Sequence, residues 1–82
     1  MTDALVIVVD TLRALAREHV IPANLLEARL EAGTALRELG IDSIGMLHVL
    51  AELENRAGIL LDERALAGCA TIGDLASVIA AL

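Results

Sequence analysis

Eighty-two residues limit the chain to one domain at most, and a domain of that size buries only a modest fraction of its surface. Apolar residues are 57% of the chain and charged residues 22%, which excludes disorder by composition. Twelve acids stand against six arginines, a net charge of −6. With no basic stripe for phosphates and no aromatic side chain for stacking, nucleic-acid binding is excluded and an anionic membrane surface disfavoured, which leaves a partner carrying a basic patch as the natural electrostatic match.

Leucine and alanine make 31 of the 82 residues and there is no Phe, Tyr or Trp. A strand-rich sandwich or barrel normally draws on aromatics, so the composition predicts an all-α fold: a small bundle of three main helices plus a short fourth. The lone Cys69 cannot form an internal disulfide, which suits a reducing cytosol or a chain with no use for disulfides. The longest apolar run, Ala4 to Val9, has six residues against the roughly 20 of a membrane-spanning helix. Met1-Thr2-Asp3 lacks the basic start of a signal peptide. The expectation is a cytoplasmic protein with no membrane insertion.

The first helix begins at Thr2 or Asp3, either of which can cap it, and runs to about Glu18. Its apolar stripe is Leu5, Val8, Val9, Leu12, Leu15 and Ala16, with Asp10, Arg13 and Arg17 on another face. The run Val6-Ile7-Val8-Val9 favours a strand, but the length of the periodic pattern decides for a helix, with Val6 and Ile7 partly exposed. Val20-Ile21-Pro22 breaks it. A partly helical connection follows, with Asn24 capping a short helix through Leu30, another turn over residues 35–39, and Leu25, Leu30, Leu36 and Leu39 tucked onto the bundle.

Gly40 ends that turn. After Asp42-Ser43 comes the clearest amphipathic helix, with Met46, Val49, Leu50, Leu53 and Ala57 apolar and Gly45, His48, Glu52, Asn55 and Arg56 on the polar side. Gly58 is its natural C-cap. Asp62 starts a short helix through Leu66, which Gly68 ends. Thr71 caps a last helix whose apolar side is Ile72, Leu75, Ala76, Val78, Ile79 and Leu82.

Catalytic constellations are thin. Cys69 with His19 or His48 is a conceivable nucleophile and base, but a small buried hydrophobe is the simpler reading of Cys69. The histidines show no metal-ligand spacing, and Glu52 and Glu54, two residues apart, do not share a helix face. No phosphate-binding glycine motif occurs. The chain is therefore expected to be no enzyme, with no catalytic residues and no metal. The informative segment is Leu39-Gly40-Ile41-Asp42-Ser43-Ile44: a tight turn, then a serine opening a helix. Either Asp42 or Ser43 merely caps the helix, or the serine carries a phosphodiester where free N–H groups and the positive end of the helix dipole favour one.

Residues 36–44, Leu36-Arg37-Glu38-Leu39-Gly40-Ile41-Asp42-Ser43-Ile44, resemble the modification loop of the acyl carrier proteins and their aminoacyl and peptidyl relatives. The helix to Ala57, the exit Gly58-Ile59, and Thr71-Ile72-Gly73-Asp74-Leu75 also resemble that family, at the right mutual distances. The resemblance covers roughly residues 34–82 and, more loosely, the first helix. It implies that Ser43 accepts 4′-phosphopantetheine from coenzyme A and that Asp42 assists the transferase and its metal ion. It implies a single carrier domain over residues 1–82, a monomer that holds an acyl or aminoacyl group as a thioester. Its partners would be a phosphopantetheinyl transferase, a loading enzyme and a downstream transferase or synthase. The recognition face would be Ile44, Leu47, His48, Ala51 and Glu54.

Gly45 and His48 stand where fatty-acid carriers often place acids, which favours a specialised, polyketide-type carrier. The segment also resembles carriers of amino acids, including D-alanyl carriers of cell-wall assembly, so that reading stays open. The chain starts and stops close to the bundle, which suggests a freestanding carrier rather than a module, and an excised domain with trimmed flanks would look the same. A reading of another class is an unmodified helical interaction module that docks through Val6, Ile7 and other exposed apolar residues.

Overall fold

The computed structural model describes residues 3–81. Helix α1 (Ala4–Arg17) starts where the carboxylate of Asp3 accepts the N–H of Leu5 at 3.0 Å. Thr2, the alternative cap, lies outside the described residues, as does Leu82. The β-branched run is helical because α1 is held by burial: Val8, Leu12, Leu15 and Ala16 all enter the core, while Val6 stays exposed. Leu5 and Val9, assigned to the stripe, are only half-buried. Thr11 is fully buried and its hydroxyl donates to the Ile7 carbonyl at 2.7 Å. Arg13, expected on the solvent face, is half-buried instead: its guanidinium donates to the carbonyls of Leu26 (2.7 Å) and Ala28 (3.4 Å), backbone groups of the connection that have no helical partner.

Helix α1 closes in a Schellman arrangement. The N–H of Val20 bonds the Leu15 carbonyl and that of His19 the Ala16 carbonyl, with His19 left-handed at φ 61°. The connection that follows is less helical than the spacing predicts. A 3₁₀ turn, Ala23–Leu26, replaces the helix expected through Leu30, and Asn24 makes no side-chain cap. Pro22 sits just before that turn, and the N–H of Leu25 bonds its carbonyl at 3.1 Å. A second 3₁₀ turn, Leu36–Leu39, ends at Gly40 with φ 71°, a conformation glycine adopts without cost. Leu25, Leu36 and Leu39 are buried as expected, and Leu30 is half-buried.

Helix α2 (Ser43–Ala57) ends at left-handed Gly58, short α3 (Glu63–Ala67) follows the Asp62 cap, and α4 is Ile72–Ala81. Among the described residues there is no strand, only an isolated bridge between Ala35 and Thr71 that ties the connection to the start of α4. Helix α1 packs most extensively on α4 and also against α2 and the first 3₁₀ turn. Val49 and Leu53 of α2 and Ile72, Leu75, Ala76 and Ile79 of α4 meet it in one apolar cluster. No helix among the described residues is long and apolar enough to cross a membrane. The packing leaves one end of α2, with the 3₁₀ turn before it and α3 beside it, at the surface.

Candidate functional site

Asp42, not Ser43, caps α2: its Oδ1 accepts the N–H of Gly45 at 2.6 Å. That makes Ser43 the first helical residue, exposed, with no hydrogen-bond partner for its hydroxyl among the described residues. The N–H groups of Ser43 and Ile44 likewise have no acceptor among the described residues. Two free donors and the positive end of a 15-residue helix thus surround an exposed hydroxyl.

Gly45 was expected on the polar face and is buried. A β-carbon there would stand 2.9 Å from Ile41 Cγ2 and 3.3 Å from Ile21 Cγ2. The missing side chain lets the first turn of α2 lie flush on those two residues, which fixes the turn while leaving Ser43 outward. The signal was legible: an interior helical glycine costs about 1 kcal/mol against alanine and needs a packing reason.

An open groove of about 500 Å³ runs from Asp42 and Ser43 along Ile41, Met46 and Leu47, with Leu66 and Cys69 lining it from the α3 side. Cys69 is half-buried and its thiol donates to the Ala65 carbonyl at 3.2 Å. Burial, then the nearby Asp74 carboxylate, push that thiol above its ordinary pKa, so it is a poor nucleophile at neutral pH. Arg37 and Glu63 also line the groove; neither stands out in the sequence, because an exposed charge in a turn or at a helix start reads as solvated.

Down the exposed side of α2, Ile44 is 69% and Leu47 53% exposed, with His48 and Ala51 beside them. The spacings of three and four residues make these a single stripe next to Ser43. The acids of α2 are engaged within the chain. Glu52 pairs with Arg56 at 2.9 Å, and Oε2 of half-buried Glu54 accepts the N–H of Leu61 at 2.7 Å. The stripe is therefore apolar and nearly uncharged.

From residue 21 to residue 79, well over half its length, the chain matches the family model for the phosphopantetheine attachment site. The chain belongs to this family. Its members carry 4′-phosphopantetheine attached covalently, so the protein is a phosphopantetheine-bearing carrier, a carrier domain rather than a catalytic one. The match begins after α1 and takes in both 3₁₀ turns, α2, α3 and most of α4. No curated protein and no solved structure matches the chain. The carrier's residues fit such a group: a phosphodiester needs an exposed hydroxyl and unspent donors, both present at Ser43, and the apolar groove beside it is large enough to receive part of an arm.

Proposed function

We propose that Ser43 bears the 4′-phosphopantetheine and that the protein, as one monomeric carrier domain over residues 1–82, shuttles an acyl group between separate cytoplasmic enzymes of specialised, polyketide-type biosynthesis. The carrying observation is the unpartnered Ser43 hydroxyl at the open start of α2, inside the family match and beside the groove. In modification the hydroxyl loses its proton and bonds to the phosphorus that bears the pantetheine arm, while the pyrophosphate bond of coenzyme A breaks and adenosine bisphosphate leaves. Asp42 keeps one carboxylate oxygen on the Gly45 N–H; the other would be the one to assist the transferase and its metal ion. When bound, the group supplies a mobile arm whose terminal thiol holds the cargo as an activated thioester. The protein itself contributes no catalytic group to transfer; it presents Ser43 and a docking face of Ile44, Leu47, His48 and Ala51, with Glu54 at its edge.

The neutral character of that face supports a specialised carrier over one read by a basic partner patch, since Glu52 and Glu54 are spent inside the chain. Incubation with coenzyme A, magnesium and a broad phosphopantetheinyl transferase, followed by intact-mass measurement, tests the attachment. The wild type gains one phosphopantetheine and Ser43→Ala gains none. Modification persisting in Ser43→Ala, at Ser77 or Thr71, overturns the assignment. Loading the modified protein with either an acyltransferase or an amino-acid-activating enzyme then separates the acyl from the aminoacyl reading.

A further inference from the structure

We propose that Arg37 binds the phosphodiester of the prosthetic arm and holds the arm's first bonds against the mouth of the groove; the inference rests on the reading of Ser43 as attachment residue. Of the charged side chains that line this groove, Asp42 and Glu63 are carboxylates and Arg37 is the only cation. A phosphodiester on Ser43 adds a third negative charge to that rim. The unpartnered N–H groups at the start of α2 offset part of it. Among the described residues that line the groove, Arg37 alone carries the opposite charge that could offset the rest.

Arg37 is free to do so. It is exposed, and among the described residues it makes no ion pair or hydrogen bond. The other arginine contacts are structural: Arg13 holds the connection's carbonyls, Arg29 pairs with Glu31, and Arg56 with Glu52. Arg37 sits on the rigid 3₁₀ turn Leu36–Leu39, whose Leu36 and Leu39 are buried and whose Leu36 N–H bonds the Ala70 carbonyl at 2.9 Å. Its backbone is therefore fixed while its side chain is unspent. A guanidinium presents its donors in a planar fork that matches two phosphate oxygens at once. A carboxylate at the far end of a cargo is the competing anion for the same cation, and an arm without cargo distinguishes the two.

The experiment uses the full chain, modified and carrying no cargo, and reads ³¹P NMR of its single phosphodiester together with the Arg37 Nε–H resonance. In the wild type, attachment shifts the Arg37 resonance, and the ³¹P relaxation follows that of the helix backbone. Arg37→Gln, or added salt, makes the ³¹P relax severalfold more slowly, as a loose arm does, while Arg37→Lys restores part of the effect. The exposed site leaves circular dichroism unchanged in both variants. Identical ³¹P shift and relaxation in wild type and Arg37→Gln overturn the inference, as does an Arg37 resonance that moves only once a carboxylate-bearing cargo is loaded. A chain that gains no phosphopantetheine by mass at Ser43 overturns the attachment reading instead, so the two failures are separable.

Discussion

Two helices of this bundle start in opposite ways. At α4, Thr71 Oγ1 accepts the N–H of Asp74 at 3.1 Å, and the Asp74 carboxylate reaches back to the N–H groups of Thr71 (3.1 Å) and Ala70 (2.9 Å). The next donors go to the connection: Ile72 N–H to Thr34 at 3.0 Å and Gly73 N–H to Ala32 at 2.8 Å. Every donor of that first turn is spent within the chain, in a capping box completed by tertiary bonds. At α2 a single cap bond, Gly45 to Asp42, is made, and the donors of Ser43 and Ile44 have no partner among the described residues. The connection decides the difference: its Thr34 and Ala32 carbonyls take the first two donors of α4, and no described residue does the same for Ser43 and Ile44. The proposed phosphodiester on Ser43 would need donors left open in this way, and at α4 the same chain leaves none open.

The largest expected effect concerns what surrounds the open start. A leucine buried in an interface contributes about 1.5–3 kcal/mol, whereas an exposed charge pair gives about 0–1 kcal/mol. Leu47→Asp should therefore weaken transfer from a cognate loading enzyme on the order of 10- to 100-fold, more than Glu54→Ala or moderate salt does. Leu47 is 53% exposed, so the variant should fold, which circular dichroism checks. Normal transfer by folded Leu47→Asp, or transfer abolished by salt alone, would restore charge as the basis of recognition.

Next in size is the packing that fixes the open start. Alanine is the better helix former by up to about 1 kcal/mol, yet Gly45→Ala should destabilise by about 1–3 kcal/mol, because its β-carbon lands 2.9 Å from Ile41. Gly33→Ala, with nothing within 4 Å of its β-carbon, is the matched control and should cost nothing. Thermal melts read both; a Gly45→Ala protein as stable as the wild type would mean that the first turn of α2 is not held by that contact.

Much of this was legible in the sequence where one principle governed. The leucine periodicity of α1, α2 and α4 and the caps Asp62, Thr71, Gly40 and Gly58 followed from local chemistry. The segment from Ala23 to Thr34 was not, because its backbone is satisfied from elsewhere: Arg13 reaches it from α1 and α4 donates to it. Such long-range bonds leave no periodic trace. A residue without a side chain carries no polarity of its own, so the sequence marks Gly45 as a helical glycine in need of a packing reason, and the contact with Ile21 and Ile41 shows what that reason is. Asp42 and Ser43 were recognisable as a pair, but which of them caps depends on geometry.

Removing one cap at each start sharpens the contrast further. Asp42→Ala and Thr71→Ala should each cost about 0.5–2 kcal/mol in stability. Only Asp42→Ala should also slow phosphopantetheine attachment, since Thr71 stands at the closed start. Equal rates of attachment in the two variants would reduce Asp42 to a cap.

The smallest effect is a dependence on pH at the closed start. Hydrogen bonds from the N–H groups of Ala70 and then Thr71 hold the Asp74 carboxyl below its ordinary value of 3.8. A folded-state value below the unfolded one means that the charged form is favoured by folding. The stabilisation is therefore complete above about pH 3.8 and is lost as pH falls through the lower, folded value. Asp74→Asn retains an acceptor oxygen but cannot titrate, so its melting temperature should fall less steeply with acid in that window. Because the carboxylate is fully exposed, solvent screens it and the difference in slope should be slight. The same variant carries a second readout. Asp74 adds to the burial that raises the Cys69 thiol, so removing its charge should move the pH profile of Cys69 alkylation downward, though still above that of a free thiol, since burial is the larger cause. Parallel acid curves together with an unmoved alkylation profile would mean that the Asp74 charge does no more at this helix start than a neutral acceptor in its place.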